Sequence, residues 1–398
     1  MIKKTSSTLI LSISLYLLMN YLVNNFFMIS IFGIISFLLI NLKYSFKNIN
    51  HKSNQNYLKK FTLLVPAKNE EDRIGDSINY LKKIDYPKDY YQVIIINDNS
   101  TDNTLKILNN MDLPDNYKIF NRTRKDGFVA GVLNDGLNVI SKDTEIVGII
   151  DSDCVVSSNI LTQVAERFQD NFKGAVQISE WHYNCTDNLL TMAQHLLCIY
   201  ENYGIQSDPE FKVGHFYHQD LINSFKKYNE QSIIEDFELS YYLKKNKITI
   251  KTITDILIYR KFPKDIKKIY SQQYRYALGK QIIFYKNNFI QDEVILPIIL
   301  FMILVTLNFR LFFVLIFIFY LILFNSWYLY YKISHKSALE NCITQEIHNK
   351  ILSQGSNHYF SLINSFSAII LGMFIILIRI FPFFKIPLGI EEIKWNRF

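Results

Sequence analysis

Between Phe61 and Asp153 the sequence alternates between two hydrophobic periods, and that rhythm restricts the fold more than any other feature of the 398 residues. FTLLVP, from Phe61 to Pro66, reads as a buried strand. A helix follows with Ile74, Ile78 and Leu81 on one face and Asn69 offered as its N-cap. Val93 to Ile96 is a second strand ending in Asn97 and Asp98, and Ser100 is placed to cap the helix that carries Leu105 and Leu108. Lys118 to Phe120 is a third, short strand, ahead of a helix with Val129, Val132, Leu133, Leu137 and Ile140 along one stripe. Strands alternating with amphipathic helices at this spacing predict an α/β domain: a parallel sheet covered on both faces, with polar residues gathered beyond the strands' carboxyl ends.

The next strand, IVGIIDSD from Ile146 to Asp153, shows what such an end can offer. Its apolar run terminates in two carboxylates one residue apart. Asp151 and Asp153 could hold a divalent cation through hard oxygen ligands, bridging it to phosphate oxygens in the crevice beyond the sheet. A simple turn after a strand also favours Asp and Ser. Beyond it the pattern predicts a helix near Asn159 to Phe168, a strand at Gly174 to Ile178 and a helix from Asn188 to Tyr203. The segment Ile234 to Lys245 opens with Glu235, Asp236 and Glu238, acids that suit the positive end of a helix dipole. Pro263 to Asn287 mixes Lys with Ile, Tyr and Leu at helical spacing, as in a helix lying on a membrane or on an ordinary protein surface.

Apolar surplus is concentrated at the two ends. Thr8 to Leu42 is almost uncharged and too long for one crossing of a ~30 Å hydrocarbon layer, so two short helices joined at Asn24 and Asn25 are expected. Lys3 and Lys4 before this run, and Lys43, Lys47 and Lys52 after it, put both flanks in the cytoplasm. Ile295 to Leu307, Leu311 to Tyr331 and Phe360 to Phe384 are further apolar runs. Three crossings would leave the tail outside, whereas its Lys385, Lys394 and Arg397 favour the inside, so the number of crossings stays open. The resulting division is a hairpin at 1–45, a cytoplasmic α/β domain at 58–262, an interface helix at 263–290 and a C-terminal membrane region at 291–398, which makes an integral membrane protein. The formal charge of +7 sits mainly in lysines beside apolar runs and suits anionic lipid headgroups. No basic and aromatic platform for nucleic acid stands out. Cys154, Cys185, Cys198 and Cys342 lack the spacing of a zinc site or a disulfide framework.

Four stretches, VPAKNEEDRI, IIINDNSTDNT, IIDSD and the Glu235-Asp236 pair followed by QQYRY at Gln272 to Tyr276, occur in the order and spacing of one family. Together they resemble the membrane-bound family-2 glycosyltransferases, the group of cellulose, hyaluronan and poly-N-acetylglucosamine synthases. The resemblance covers roughly Phe61 to Lys280 and implies a GT-A, Rossmann-like catalytic domain between transmembrane helices. It implies an inverting transfer of a sugar from a UDP-sugar to an acceptor hydroxyl, with Mn or Mg on the diphosphate. A growing polysaccharide or a lipid-linked molecule would be the acceptor, and a non-catalytic assembly subunit is the remaining alternative.

By the same resemblance, Pro66, Ala67 and Glu70 belong to the segment around the nucleotide base, and Asp98 accepts the uracil N3-H. Asp151 and Asp153 form the D-x-D of the donor site, the second binding metal. Asp236 is the general base and Arg275 reaches the pyrophosphate. Glu235, Gln272 and Tyr276 contact the acceptor, with Tyr276 where the family usually has a tryptophan. A carboxylate at Asp98 is chemically apt, being an acceptor only; a single in-line displacement needs one carboxylate such as Asp236 to take the hydroxyl proton. The chain departs from the pattern at Val129, which replaces a donor-contacting lysine whose role could pass to Arg124 or Lys125, and at Asn97, which replaces an acid. KVGHFYH, Lys212 to His218, matches the acceptor-channel segment only loosely, and His215 and His218 read as packing or surface residues.

Overall fold

A computed structural model of the chain describes residues 57–286, apart from 186 and 208, together with 370–372, 374, 375 and 378. Its strands are β1 (Phe61–Ala67), β2 (Tyr91–Asn97), β3 (Tyr117–Asn121), β4 (Ile146–Ile149), β5 (Ala175–His182), β6 (His215–His218) and β7 (Ile250–Arg260). They form one sheet in the order β3-β2-β1-β4-β6-β5-β7. The helices are α1 (Ile74–Leu81), α2 (Thr104–Asn110), α3 (Phe128–Leu137), α4 (Ile160–Arg167), α5 (Leu189–Ser207), α6 (Asp220–Phe225), α7 (Glu235–Lys245) and α8 (Ile266–Lys286).

All seven residues of β1 are buried, because this strand lies inside the sheet with layers above and below. Successive side chains point to opposite faces. Leu63 and Val65 therefore join Ile74, Ile78 and Leu81 of α1 in one core, while Leu64 joins Ala130, Val132 and Leu133 of α3 in the other. At ~1.5–3 kcal/mol for each large aliphatic side chain fully buried, these two layers are what hold the helices to the sheet.

The first four strands are parallel, with Phe61 opposite both Tyr91 and Ile146. The chain first moves outward from β1 through β2 and β3 and then returns to place β4 on the other side of β1. Where the direction of winding reverses, a crevice opens at the strands' carboxyl ends. The predicted parallel half is thus as expected. β6 departs from it, running antiparallel to both β4 and β5. β5 extends four residues beyond its predicted end at Ile178, to His182. β7 has no clean alternation in sequence because its pairing is irregular: Ile178 faces Ile253 but Ser179 faces Leu257. His215 is buried against Phe211, with ring centroids 4.4 Å apart, and His218 is half-buried near the strand end.

Two capping expectations are corrected. α1 starts at Ile74 with Arg73 at the N-cap, not at Asn69. Asn69 has a left-handed backbone (φ 56°), a conformation asparagine tolerates, and its Oδ1 accepts the Thr101 N-H at 2.8 Å. Ser100 accepts the Asn69 N-H instead of capping α2, whose first turn is held by Asp102 through the Thr104 N-H. These side chains tie the loop after β1 to the loop after β2. α3 also stops earlier than its apolar stripe, with Asn138 as its C-cap.

Among the described residues no helix is long and apolar enough to cross a membrane. The predicted hairpin at 1–45, and all but a few residues of the region 291–398, lie outside the described part.

Candidate functional site

The carboxyl end of β2 delivers Asp98 into the crevice as a buried, doubly engaged carboxylate. Its Oδ1 accepts from Arg122 Nη1 at 2.7 Å and its Oδ2 from Lys68 Nζ at 3.0 Å. Burial alone would raise its pKa, but these two hydrogen bonds outweigh burial and hold it below the usual carboxylate range. Asp98 is therefore ionised and fixed in direction, with acceptor capacity left on each oxygen. Pro66 and Ala67 are buried at the end of β1, and the Ala67 carbonyl accepts the Asp98 N-H at 2.8 Å. That carbonyl sets the position of Asp98.

Arg122 is the hub of a charge network that reaches the neighbouring loops. Its side chain is 1% exposed, and besides Asp98 it donates from Nε to Asp135 at 2.6 Å and to the Asp126 carbonyl. Arg124 donates to Asp135 at 2.7 Å and grips Glu230 with two hydrogen bonds of 2.8 Å. Asn134 adds a third to Glu230. Gly127, between these arginines and α3, has φ 83°, and a Cβ there would lie 2.8 Å from a Glu230 oxygen. Only glycine fits that corner. Arg124 is thus occupied by two acids, which argues against its replacing the lysine missing at Val129.

Beyond β4, Asp151 and Asp153 stand in the same crevice, and Asp151, Asp153 and Cys154 bring ligand atoms within 4.8 Å of one another. Burial and the two aspartates push the Cys154 thiol well up, so it stays protonated and the hard donors are the two carboxylates. Arg73 from the start of α1 reaches across to this pair. Its Nη1 is 2.9 Å from Asp153 Oδ2 and its Nη2 is 2.8 Å from Glu70 Oε2. Glu70, a predicted donor residue, is therefore linked to the D-x-D through a guanidinium.

The third wall comes from α7 and α8. Gly279 on α8 lets the two helices meet closely: a Cβ there would be 2.5 Å from Ile234, the residue before α7. This contact brings Arg275 to the acids at the start of α7, where its positive charge acts on both Glu235 and Asp236. Burial and the charge of Asp236 push Glu235 up to about 8, and Asp151 adds to the repulsion. Burial also raises Asp236, opposed by the Phe237 N-H, which donates to its Oδ1 at 2.7 Å, and by Arg275. Both acids of the pair are thus held above the usual carboxylate range, chiefly by burial and, for Glu235, by the charge of Asp236.

Tyr276 lies beside Arg275, whose guanidinium carbon is 5.1 Å from its ring centroid, and Gln272 Nε2 is 3.5 Å from its hydroxyl. The ring is partly buried against the cluster of Ile233, Ile234, Phe237, Leu278 and Ile283. The residues singled out from sequence therefore converge from β1, β2, β4, α7 and α8 on one crevice. Sequence reasoning missed Arg73, Lys68, Arg122 and Glu230. Arg73 had a signal in its three-residue spacing from Glu70 at a helix start, and Arg122 in its place just after β3. Glu230 had none, since only the folded chain brings it to Arg124.

Residues 62–235 match the family model described as Glycosyl transferase family 2. This region is a family 2 glycosyltransferase domain. The β-monoglucosyldiacylglycerol synthase of Nostoc sp. is 31% identical to it over 211 residues, 51% of this chain and 45% of that protein. The poly-β-1,6-N-acetyl-D-glucosamine synthase of Staphylococcus epidermidis strain RP62A is 24% identical over 257 residues, 63% of this chain and 61% of that protein. The match thus spans 45% to 61% of the length of these relatives. A mannosyltransferase from Pyrobaculum calidifontis, solved with GDP-Man and Mn2+, superposes with a TM-score of 0.57 at 16% identity, covering 89% of this chain and 95% of that one. The glycosyltransferase domain has the Rossmann-like GT-A fold.

Proposed function

We propose that this chain is an inverting glycosyltransferase that moves a sugar from a UDP-sugar to an acceptor hydroxyl presented at a membrane. The observation that carries this reading is the convergence of two acidic sites in one crevice of a family 2 domain. The D-x-D at the end of β4 and the Glu235-Asp236 pair lie close enough for the charge of Asp151 to act on Glu235. One suits the donor's diphosphate and the other the acceptor's proton.

In this reading Asp98 accepts the N3-H of uracil, held in place by Arg122 and Lys68, with Pro66, Ala67 and Glu70 around the base. Asp151 and Asp153 offer the hard oxygen donors that fit Mn2+ or Mg2+, and Arg73 would have to release Asp153 for such a cation to bind there. A bound cation would neutralise charge on the diphosphate as the sugar departs. Asp236 takes the acceptor's hydroxyl proton while that oxygen bonds to the anomeric carbon. On the opposite side the bond from that carbon to the diphosphate oxygen breaks, and its electron pair leaves with UDP. The charge of Arg275 favours the ionised form of Asp236 against the effect of burial, and in this reading the same guanidinium reaches the diphosphate.

Two acceptors have support. Tyr276, beside Gln272, offers a ring on which the last sugar of a growing glycan can stack. A lipid hydroxyl is favoured by an apolar patch: Leu189, Ile266, Tyr270 and Ile370 are exposed, and exposed Lys261, Lys264, Lys267 and Lys268 accompany them. The same patch supports a membrane-bound protein with its catalytic domain against the cytoplasmic leaflet. All the carboxylates the reaction needs are present, which speaks against a non-catalytic subunit.

The test is product analysis by mass spectrometry on membranes carrying the full chain, offered a panel of UDP- and GDP-sugars with Mn2+, with Mg2+ or with excess chelator. Metal-dependent transfer from a UDP-sugar is the expected result. A ladder of products identifies a glycan acceptor and a single added sugar on lipid identifies the other. Transfer from GDP-sugars alone would refute the role given to Asp98, and undiminished transfer in chelator would refute that given to Asp153.

A further inference from the structure

A second polar cluster lies at the carboxyl ends of β5 and β7, outside the residues used above. It comprises Glu180 and His182 on β5, Lys212 ahead of β6, and Arg260 as the last residue of β7. His182 and Arg260 are register partners on parallel strands, so their side chains leave the sheet on the same face. The end of β7 is fastened next to the D-x-D: Val155 and Tyr259 exchange two backbone hydrogen bonds of 2.8 Å, two residues beyond Asp153.

Arg260 is poorly satisfied there. Its side chain is 14% exposed, and its Nε is buried without a hydrogen-bond partner. Its ion pair with Glu180 is loose, Nη1 to Oε2 at 3.7 Å, and Lys212 stands 4.0 Å from the other Glu180 oxygen. Burial disfavours its charge, yet Asp153 and Glu180 more than offset that. Both ring nitrogens of His182 are buried without a hydrogen-bond partner, with Glu180 Oε2 3.7 Å from Nε2, and burial and Arg260 keep this imidazole neutral. A guanidinium presents five donors in a fixed fork, and unmade buried donors are costly unless a ligand or water meets them.

Glu180, His182 and Cys198 also bring ligand atoms within 4.8 Å of one another. A metal ion is disfavoured there because Arg260 and Lys212 already flank the only carboxylate with positive charge. The unmet chemistry calls for an anion with several acceptor oxygens. The anion that the donor-site reading brings next to Asp153 is a diphosphate, and planar guanidinium forks match phosphate oxygens well.

We infer that Arg260 is a donor-binding residue whose buried guanidinium grips the diphosphate of the nucleotide sugar, with Glu180 as a positioning residue that keeps the fork turned toward the crevice. This rests on the donor-site reading given above. Arg260 and Arg275 then approach the leaving group from different walls, one beside the D-x-D and the other beside the proton acceptor. As charge builds on the departing diphosphate, a fixed cation already in place stabilises it without reorganisation.

The experiment is isothermal titration of the purified full chain with UDP and with UMP in Mn2+, using the wild type, Arg260→Gln and Arg260→Lys. The wild type should bind UDP more tightly than UMP. Arg260→Gln should weaken UDP roughly 10- to 100-fold, as expected for losing charge-assisted hydrogen bonds, and leave UMP unchanged. Arg260→Lys should fall between them. Unchanged UDP affinity in Arg260→Gln overturns the inference while leaving the donor site intact. Equal loss of UDP and UMP in both variants also overturns it, because Arg260 would then hold the fold and not the second phosphate. A wild type that binds neither nucleotide refutes the donor-site reading itself.

Discussion

Glu235 provides a prediction that needs no knowledge of the sugar. Burial and the charge of Asp236 raise its carboxyl from the ordinary 4.5 to about 8 in the folded chain. Between those two values the unfolded chain has released this proton and the folded chain still holds it. The folded state therefore binds more protons, and stability contributed at this position falls as pH rises through the window. Each pH unit within it costs up to ~1.4 kcal/mol, so the penalty at pH 7 is at most roughly 3.5 kcal/mol, with Asp236 sharing part of it. Glu235→Gln keeps the shape and abolishes the titration. The variant should match the wild type near pH 4.5 and become progressively more stable than it up to pH 8, by ~2–3 kcal/mol at pH 7. Urea denaturation followed by fluorescence at half-unit pH steps, without metal or nucleotide, measures this directly. Parallel pH profiles for the two proteins, or a variant that loses ground as pH rises, would refute the reasoning that burial and a like charge hold this proton.

Three other outcomes follow from the crevice. Asp236→Asn should leave UDP affinity unaltered and lower transfer by ~10²- to 10⁴-fold, as for other acid-base groups; comparable loss of UDP binding would move Asp236 into the donor site. Arg122→Gln should cost ~3 kcal/mol in urea denaturation, because it leaves Asp98 and Asp135 with one buried partner fewer, and a cost near zero would show that Lys68 and Arg124 suffice. Tyr276→Ala should shorten the product, whereas Tyr276→Trp should keep or lengthen it, by a stacking contribution of ~1 kcal/mol; product lengths unaltered in both variants would favour the single-addition lipid acceptor.

The parallel half of the sheet was legible because its strands are buried on both faces, and an uninterrupted run such as IVGII has few other places to go. The polar ends of its strands were legible for the same reason: a carboxylate just after a buried strand emerges at the crevice, as Asp98 and Asp151 do. The other half was harder. β6 is four residues long and β7 has a shift in pairing, so neither keeps a period long enough to read. The caps were misassigned because Asn69 and Ser100 have good capping chemistry that is spent on each other's loops. Local preference proposes such bonds, and tertiary contact decides which form.

The arginines were the least legible part of the site, and a physical difference separates two kinds of them. Arg122 and Arg124 are matched within the protein, the second by a two-bond grip on Glu230, and together they fix Asp98 and the corner at Gly127. Arg73, Arg275 and Arg260 instead face acids of the crevice: Arg73 pairs with Asp153 and Glu70, Arg275 acts on Glu235 and Asp236, and Arg260 holds Glu180 only loosely. Such positive charge offsets the mutual repulsion of the acids gathered there, Glu70, Asp98, Asp151, Asp153, Glu180, Glu235 and Asp236. A diphosphate brought in with a divalent cation is close to neutral as a unit, so it can enter without unbalancing the arrangement. In the proposed donor site, Arg73 released from Asp153 would be available to the phosphates. In that proposed site the acids and arginines are parts of one electrostatic design, in which ion pairs within the protein would be exchanged for ion pairs to the donor.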